Sequence, residues 1–139
     1  MTLLVTGCMA IAVLLILGTV VATSAQLARV QLLDVADGAA LDAADALDAR
    51  AYERGLDDAV AISDATVWES ATGYLAVRER PSRITAWAVE PGTGTADGET
   101  AVVVVAGRVE LPVVGPLLES VGSSVTITVS GSARAGFVG

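Results

Sequence analysis

The hydrophobic pattern of this chain changes period twice. From Met1 to Ala28 there is no charged side chain, and Leu3 to Ala22 reads LLVTGCMAIAVLLILGTVVA, apolar on every side of a helix. A helix of about 20 residues, at about 1.5 Å per residue, covers a hydrocarbon core of roughly 30 Å. A small domain cannot bury such a segment all round, so residues 1–28 are expected to form a membrane-inserted helix. From Gln26 to Asp48 (QLARVQLLDVADGAALDAADALD) the apolar positions retreat to one side. This stretch is rich in Ala and Leu and free of Pro, so the helix is expected to run on without a break. Leu32, Leu33, Ala36, Ala40, Ala43, Ala44 and Leu47 share one broad face, with Asp34, Asp37, Asp45 and Asp48 opposite and Asp42 at the margin. The small residues admit close approach of another helix, from the same chain or from a neighbouring subunit. The Asp row reads as a solvated face, because a straight helix does not converge several oxygens on a calcium ion.

Tyr52 to Arg78 is expected to be a second helical region, with Leu56, Val60, Val67, Ala71 and Tyr74 near a helical period and a new start at Ser63-Asp64. Arg78-Glu79-Arg80-Pro81-Ser82-Arg83 ends it, since Pro81 disfavours helix at Arg80. Those arginines read as a soluble turn or as a contact for lipid headgroups or an acidic partner. The pattern then becomes that of strands: Arg83–Glu90, Thr100–Val109 with the run Val102 to Val105, and the alternating Val125–Val129. The valine run suggests a strand buried on both faces or a central one. Pro91 to Gly98 is a turn-rich loop, and Pro112 to Val121 is expected to be a connector with a short helical turn. The expected fold is therefore α+β: a long N-terminal helix, a second helical region and an antiparallel sheet of about three strands. The expected division is a membrane helix over 1–28 and a head over 29–139, helical in 29–80 and β-rich in 83–135.

Composition narrows the chemistry. The 139 residues include no His, a single Cys and a net charge of -8. Without His there is no Ser-His-Asp or Cys-His catalysis within the chain and no zinc site of Cys/His type. Without Lys there is no phosphate-binding loop of the G-x-x-x-x-G-K type, and Gly92-Thr93-Gly94 lacks the continuation of a dinucleotide fingerprint. Asp57 and Asp58 are adjacent and point to different sides of a helix. No catalytic, cofactor or metal site is expected, nor an enzyme, and the acidic balance argues against nucleic acid. Gly18-x-x-x-Ala22 is a small-xxx-small pattern that lets membrane helices pack.

Two processing signals compete with a retained anchor. Thr23-Ser24-Ala25 has the small residues of a signal-peptidase site, which would release a secreted protein after Ala25. Val5-Thr6-Gly7-Cys8 resembles a lipobox, but its apolar run follows the cysteine instead of preceding it. The charge flanking the segment, with Arg29 on its C-terminal side, would place the head in the cytoplasm.

Leu33-Asp34-Val35-Ala36-Asp37-Gly38-Ala39-Ala40-Leu41-Asp42-Ala43-Ala44, following directly on the apolar helix, resembles the Ala-rich signature of the TadE/TadG-like minor pilins of the tight-adherence (Flp) pilus system. The closing stretch is similar too: Val102 to Val109, then Leu111-Pro112, then Val125 to Ala135. The resemblance covers the first and last thirds of the chain. It does not extend to the basic leader of pilin precursors, since the run here opens Met1-Thr2-Leu3. It implies a single-pass membrane subunit with an exported C-terminal head, against the charge rule. Other pilin or pseudopilin subunits, assembly membrane proteins and membrane lipid would be its partners, with no small-molecule substrate. The alternative roles are a secreted small protein and a membrane-anchored accessory factor of a secretion system that never enters a fibre.

Overall fold

The computed structural model describes residues 1–54, 64–111 and 124–136, apart from the side chains of 47, 48 and 50–54. It consists of α1 (Thr2–Arg54), α2 (Asp64–Val77), β1 (Ile84–Val89), β2 (Thr100–Glu110) and β3 (Ser124–Arg134). This is the α+β arrangement read from the sequence, a long N-terminal helix, a second helix and a three-stranded antiparallel sheet.

α1 is one continuous helix of 53 residues, about 80 Å long at the standard rise. It continues past Asp48 as far as Arg54. No Pro interrupts it, and three of its hydroxyls donate back into the helix. Thr6 Oγ1 donates to Thr2 O at 2.8 Å, Thr19 to Leu15 O at 2.8 Å and Thr23 to Thr19 O at 2.9 Å. Such back-bonding gives each of these hydroxyls a partner within an apolar segment. The second helix begins at Asp64, at the new start the sequence signalled. Leu56 and Val60 lie outside the described residues.

The strand order is β1-β2-β3, both pairs antiparallel. β2 is central, and its burial alternates: Ala101, Val103, Val105, Gly107 and Val109 face the helices, while Val102, Val104 and Ala106 are half-buried on the other side. The valine run is thus buried on one face only. Both helices lie on that face, and among the described residues nothing comparable covers the other. β3 extends beyond the five alternating residues to Arg134, because Ser130 to Arg134 continue in register with Val104 to Thr100. The Pro112–Val121 connector lies outside the described residues.

The β1–β2 loop is tied by side chains. Glu90 N donates to Val104 O at 2.9 Å, and Gly94 and Val102 exchange two backbone bonds of 2.9 Å. Between them, buried Thr93 fills the gap in the ladder: its hydroxyl accepts from Val104 N at 2.9 Å and donates to Glu90 O at 2.9 Å. Asp97 then closes the turn. Its Oδ1 accepts from Glu99 N at 2.9 Å and Thr100 N at 2.7 Å, and its Oδ2 from the Thr100 hydroxyl at 2.8 Å.

One core joins all five elements: Leu32, Val35 and the alanines of α1, Val67, Ala71 and Leu75 of α2, and Ile84, Val103, Val105, Val109 and Val129 of the sheet. Each fully buried aliphatic side chain of Val or Leu size contributes about 1.5–3 kcal/mol. The aromatics take little part, and Trp87 and Tyr74 only border the core.

Candidate functional site: an apolar helix and the head packed on it

α1 has two halves with opposite surroundings. Leu3, Leu4, Met9, Ile11, Leu14, Leu15 and Ile16 are all exposed, and the first buried residue is Ser24. This half is long and apolar enough to cross a membrane, and its most apolar stretch is wholly unburied. From Thr2 to Thr23 it measures about 33 Å, close to the hydrocarbon thickness. In water an apolar surface of this size would be strongly unfavourable, and a bilayer removes that cost. Gly18 and Ala22 are exposed on this half, and a Cβ built on Gly18 would meet nothing within 4 Å. Cys8 is exposed here as well. The helix shows no break at Thr23-Ser24-Ala25.

The second half carries the head. Ala36, Ala40, Ala43 and Ala44 are buried, together with Ala28, Leu32, Val35 and Ala39. Leu33, on the same broad face, is 39% exposed. At about 100° per residue Leu33 points between buried Ala40 and Ala44, so its exposure reflects where along α1 the head packs and not its direction. The Leu47 side chain lies outside the described residues. Asp34, Asp37, Asp42 and Asp45 are exposed.

The occupant of the small face is largely the chain's own sheet. β3 runs so close that a Cβ on Gly131 would fall 2.5 Å from the Ala36 carbonyl carbon and 2.5 Å from Asp37 N. A bare backbone on the strand and alanines on the helix are what permit this approach. Glycine between Ser130 and Ser132 was the sequence signal for it, since a strand-interior Gly often marks a close backbone contact.

α2 closes the side of α1 antiparallel to it. Tyr74 lies over Gly38, where any Cβ would collide with its hydroxyl. Arg78 donates to the Tyr74 hydroxyl and pairs with Asp34 at 3.0 Å, and the Ser70 hydroxyl donates to Asp42 Oδ2 at 3.1 Å. Between the helices runs an open groove of about 360 Å³, lined by Asp42, Glu69, Ser70, Tyr74 and Val77 among others. Asp64, at the start of α2, accepts from Thr95 N at 2.8 Å and so joins the helix to the β1–β2 loop. Hydrogen bonds from Glu99 N, then Thr100 N, hold the Asp97 carboxyl well below the usual carboxylate range. Each of these acidic groups serves a neighbouring backbone or side chain. Among the described residues no three His, Cys, Asp or Glu side chains are grouped so as to hold a metal.

The geometry is therefore that of a rod and a head: an exposed apolar helix long enough to cross a bilayer, continued into the core of a small acidic domain. The chain matches no family model, no curated protein and no solved structure.

Proposed function

We propose that this protein is a non-enzymatic, membrane-anchored subunit of the minor pilin or pseudopilin kind, serving a tight-adherence pilus or a related secretion apparatus. One observation carries the reading: a single unbroken helix is bare and apolar over its first half and is the spine of the head over its second. A helix that is both anchor and core element transmits the position of the head rigidly to the membrane, which suits a subunit that acts by packing. The order of segments that resembles the TadE/TadG-like signature supports the same role. In this reading the head lies outside the cytoplasm, and Gly18 and Ala22 let the apolar helices of neighbouring subunits come close.

Two measurements test it. A reporter active only after export, fused behind Gly139, is expected to be active; activity of a cytoplasm-only reporter instead would overturn the exported topology. In the native host, the subunit is expected to co-fractionate with sheared fibres or with partner subunits extracted from the membrane. Recovery only in the soluble extracellular fraction, with a new N-terminus at Gln26, would replace this reading by that of a secreted protein.

A further inference from the structure

Three contacts fix the height of the head along α1. Leu32 lies over Gly107, where a Cβ would be 3.1 Å from Leu32 Cδ1 and 3.5 Å from Ile84 Cγ2. Arg78 pairs with Asp34, and Gly131 abuts Ala36. Since α2 descends antiparallel to α1, the turn after Arg78 lies at the end of the head nearest the apolar segment. Arg83, whose carbonyl accepts from Glu110 N at 3.0 Å, lies there too. So does Arg108, between Gly107 and Val109.

Five of the eight cations of the chain consequently gather at this end: Arg29, Arg78, Arg80, Arg83 and Arg108. The described carboxylates at the same level are Asp34, Glu79 and Glu110, so the described residues of this end are net basic in a protein of net charge -8. Arg78 is engaged by Asp34, but among the described residues Arg29, Arg80, Arg83 and Arg108 have no ion pair. Arg83 Nη1 is buried without a hydrogen-bond partner. At the opposite end lie Asp64, Asp97 and Glu99.

We propose that this end is a basic collar that holds the head against the anionic headgroups of the bilayer its own helix crosses. It rests on the reading of the first half of α1 as a membrane anchor. From Ala22 to Arg29 the helix rises about 10 Å. The headgroup layer adds about 5–8 Å beyond the hydrocarbon, and the field of anionic headgroups in the facing leaflet reaches a further Debye length of about 8 Å. Arg29 thus lies within its range, and the turn after Arg78 approaches the same level because Arg78 pairs with Asp34, only five residues further along α1. The open side of α1 supports the same placement, since Leu27 and Val30 are 50% and 63% exposed and carry apolar surface up to the collar.

The test uses the full chain with Cys8→Ala and one fluorophore, attached through Ser82→Cys at the collar or Ala96→Cys at the far loop. The chain is reconstituted into vesicles of phosphatidylcholine alone or mixed with phosphatidylglycerol, carrying a headgroup-linked quencher. Quenching at position 82 is expected to be several-fold stronger in the anionic vesicles. That difference should collapse at molar salt and in the double variant Arg80→Gln, Arg83→Gln, while position 96 does not respond. Equal quenching at position 82 in both vesicles, with the chain still floating with lipid, overturns the collar and leaves these arginines to an acidic protein surface. Failure to float with either vesicle overturns the anchor, and the collar with it.

Discussion

Gly131 and Ala36 meet backbone to backbone: a Cβ on the glycine would lie 2.5 Å from the alanine's carbonyl carbon and 2.6 Å from its oxygen. No flexible side chain stands there to move aside. Gly131→Ala is therefore expected to push β3 off α1 and destabilise the head by about 1–3 kcal/mol, the usual range for overpacking. Gly73→Ala is the control, because a Cβ there meets nothing within 4 Å and α2 is exposed at that point. That change should raise stability by up to about 1 kcal/mol through helix propensity. Chemical denaturation of both variants checks the pair, and equal effects would refute the close-contact assignment.

The two sides of α1 should respond in opposite ways to substitution. Ala40 is fully buried, and Ala40→Leu forces extra volume into a packed core at a cost of about 1–3 kcal/mol. Asp45 is exposed, so Asp45→Ala is expected to change stability by less than about 0.5 kcal/mol. Steady-state abundance in the host and denaturation in detergent measure the contrast. The reverse order would mean that the Asp row is the working surface.

Leu15 lies exposed in the middle of the bare half of α1. Leu15→Arg places a charge near the bilayer centre, at about 2.5–3.5 kcal/mol on insertion scales. Membrane association is expected to fall sharply, read as the fraction that sediments with membranes after an alkaline wash. Undiminished sedimentation would show that this helix is not the anchor.

The Asp97 carboxyl gives the β1–β2 loop a pH dependence of known sign. Its hydrogen bonds from Glu99 N and Thr100 N favour the ionised form and lower its pKa on folding. The stabilisation is present above the ordinary carboxylate value near 3.8. It is lost as the pH falls through that value toward the lower folded one. Asp97→Asn keeps an acceptor and removes the titration. The variant should therefore lose less stability than the parent between neutral pH and pH about 3, as followed by thermal unfolding of each protein at both pH values. Parallel losses would exclude Asp97 as a contributor.

Much of this architecture was legible along the chain, because the determinants are local. A segment without charge between Met1 and Ala28, helix formers without Pro from Gln26 onward and a period of two at Val125–Val129 each select an element whatever surrounds it. What the helix faces depends on neighbours distant in sequence. Whether Leu33 or Val35 lies inside turns on where β3 and α2 press against α1. Whether Val102 and Val104 are covered turns on both helices choosing the same side of the sheet. The small-residue face could be read as small, but its partner could not: only the tertiary structure lays Gly131 on Ala36 and Tyr74 on Gly38. The arginines illustrate the same division. Their number and sign are written in the sequence, whereas their gathering at one end arises from α2 running antiparallel to α1 and from β2 ending beside the start of β1. Hydrophobic periodicity is a property of neighbouring residues, and long-range packing is a property of the folded chain.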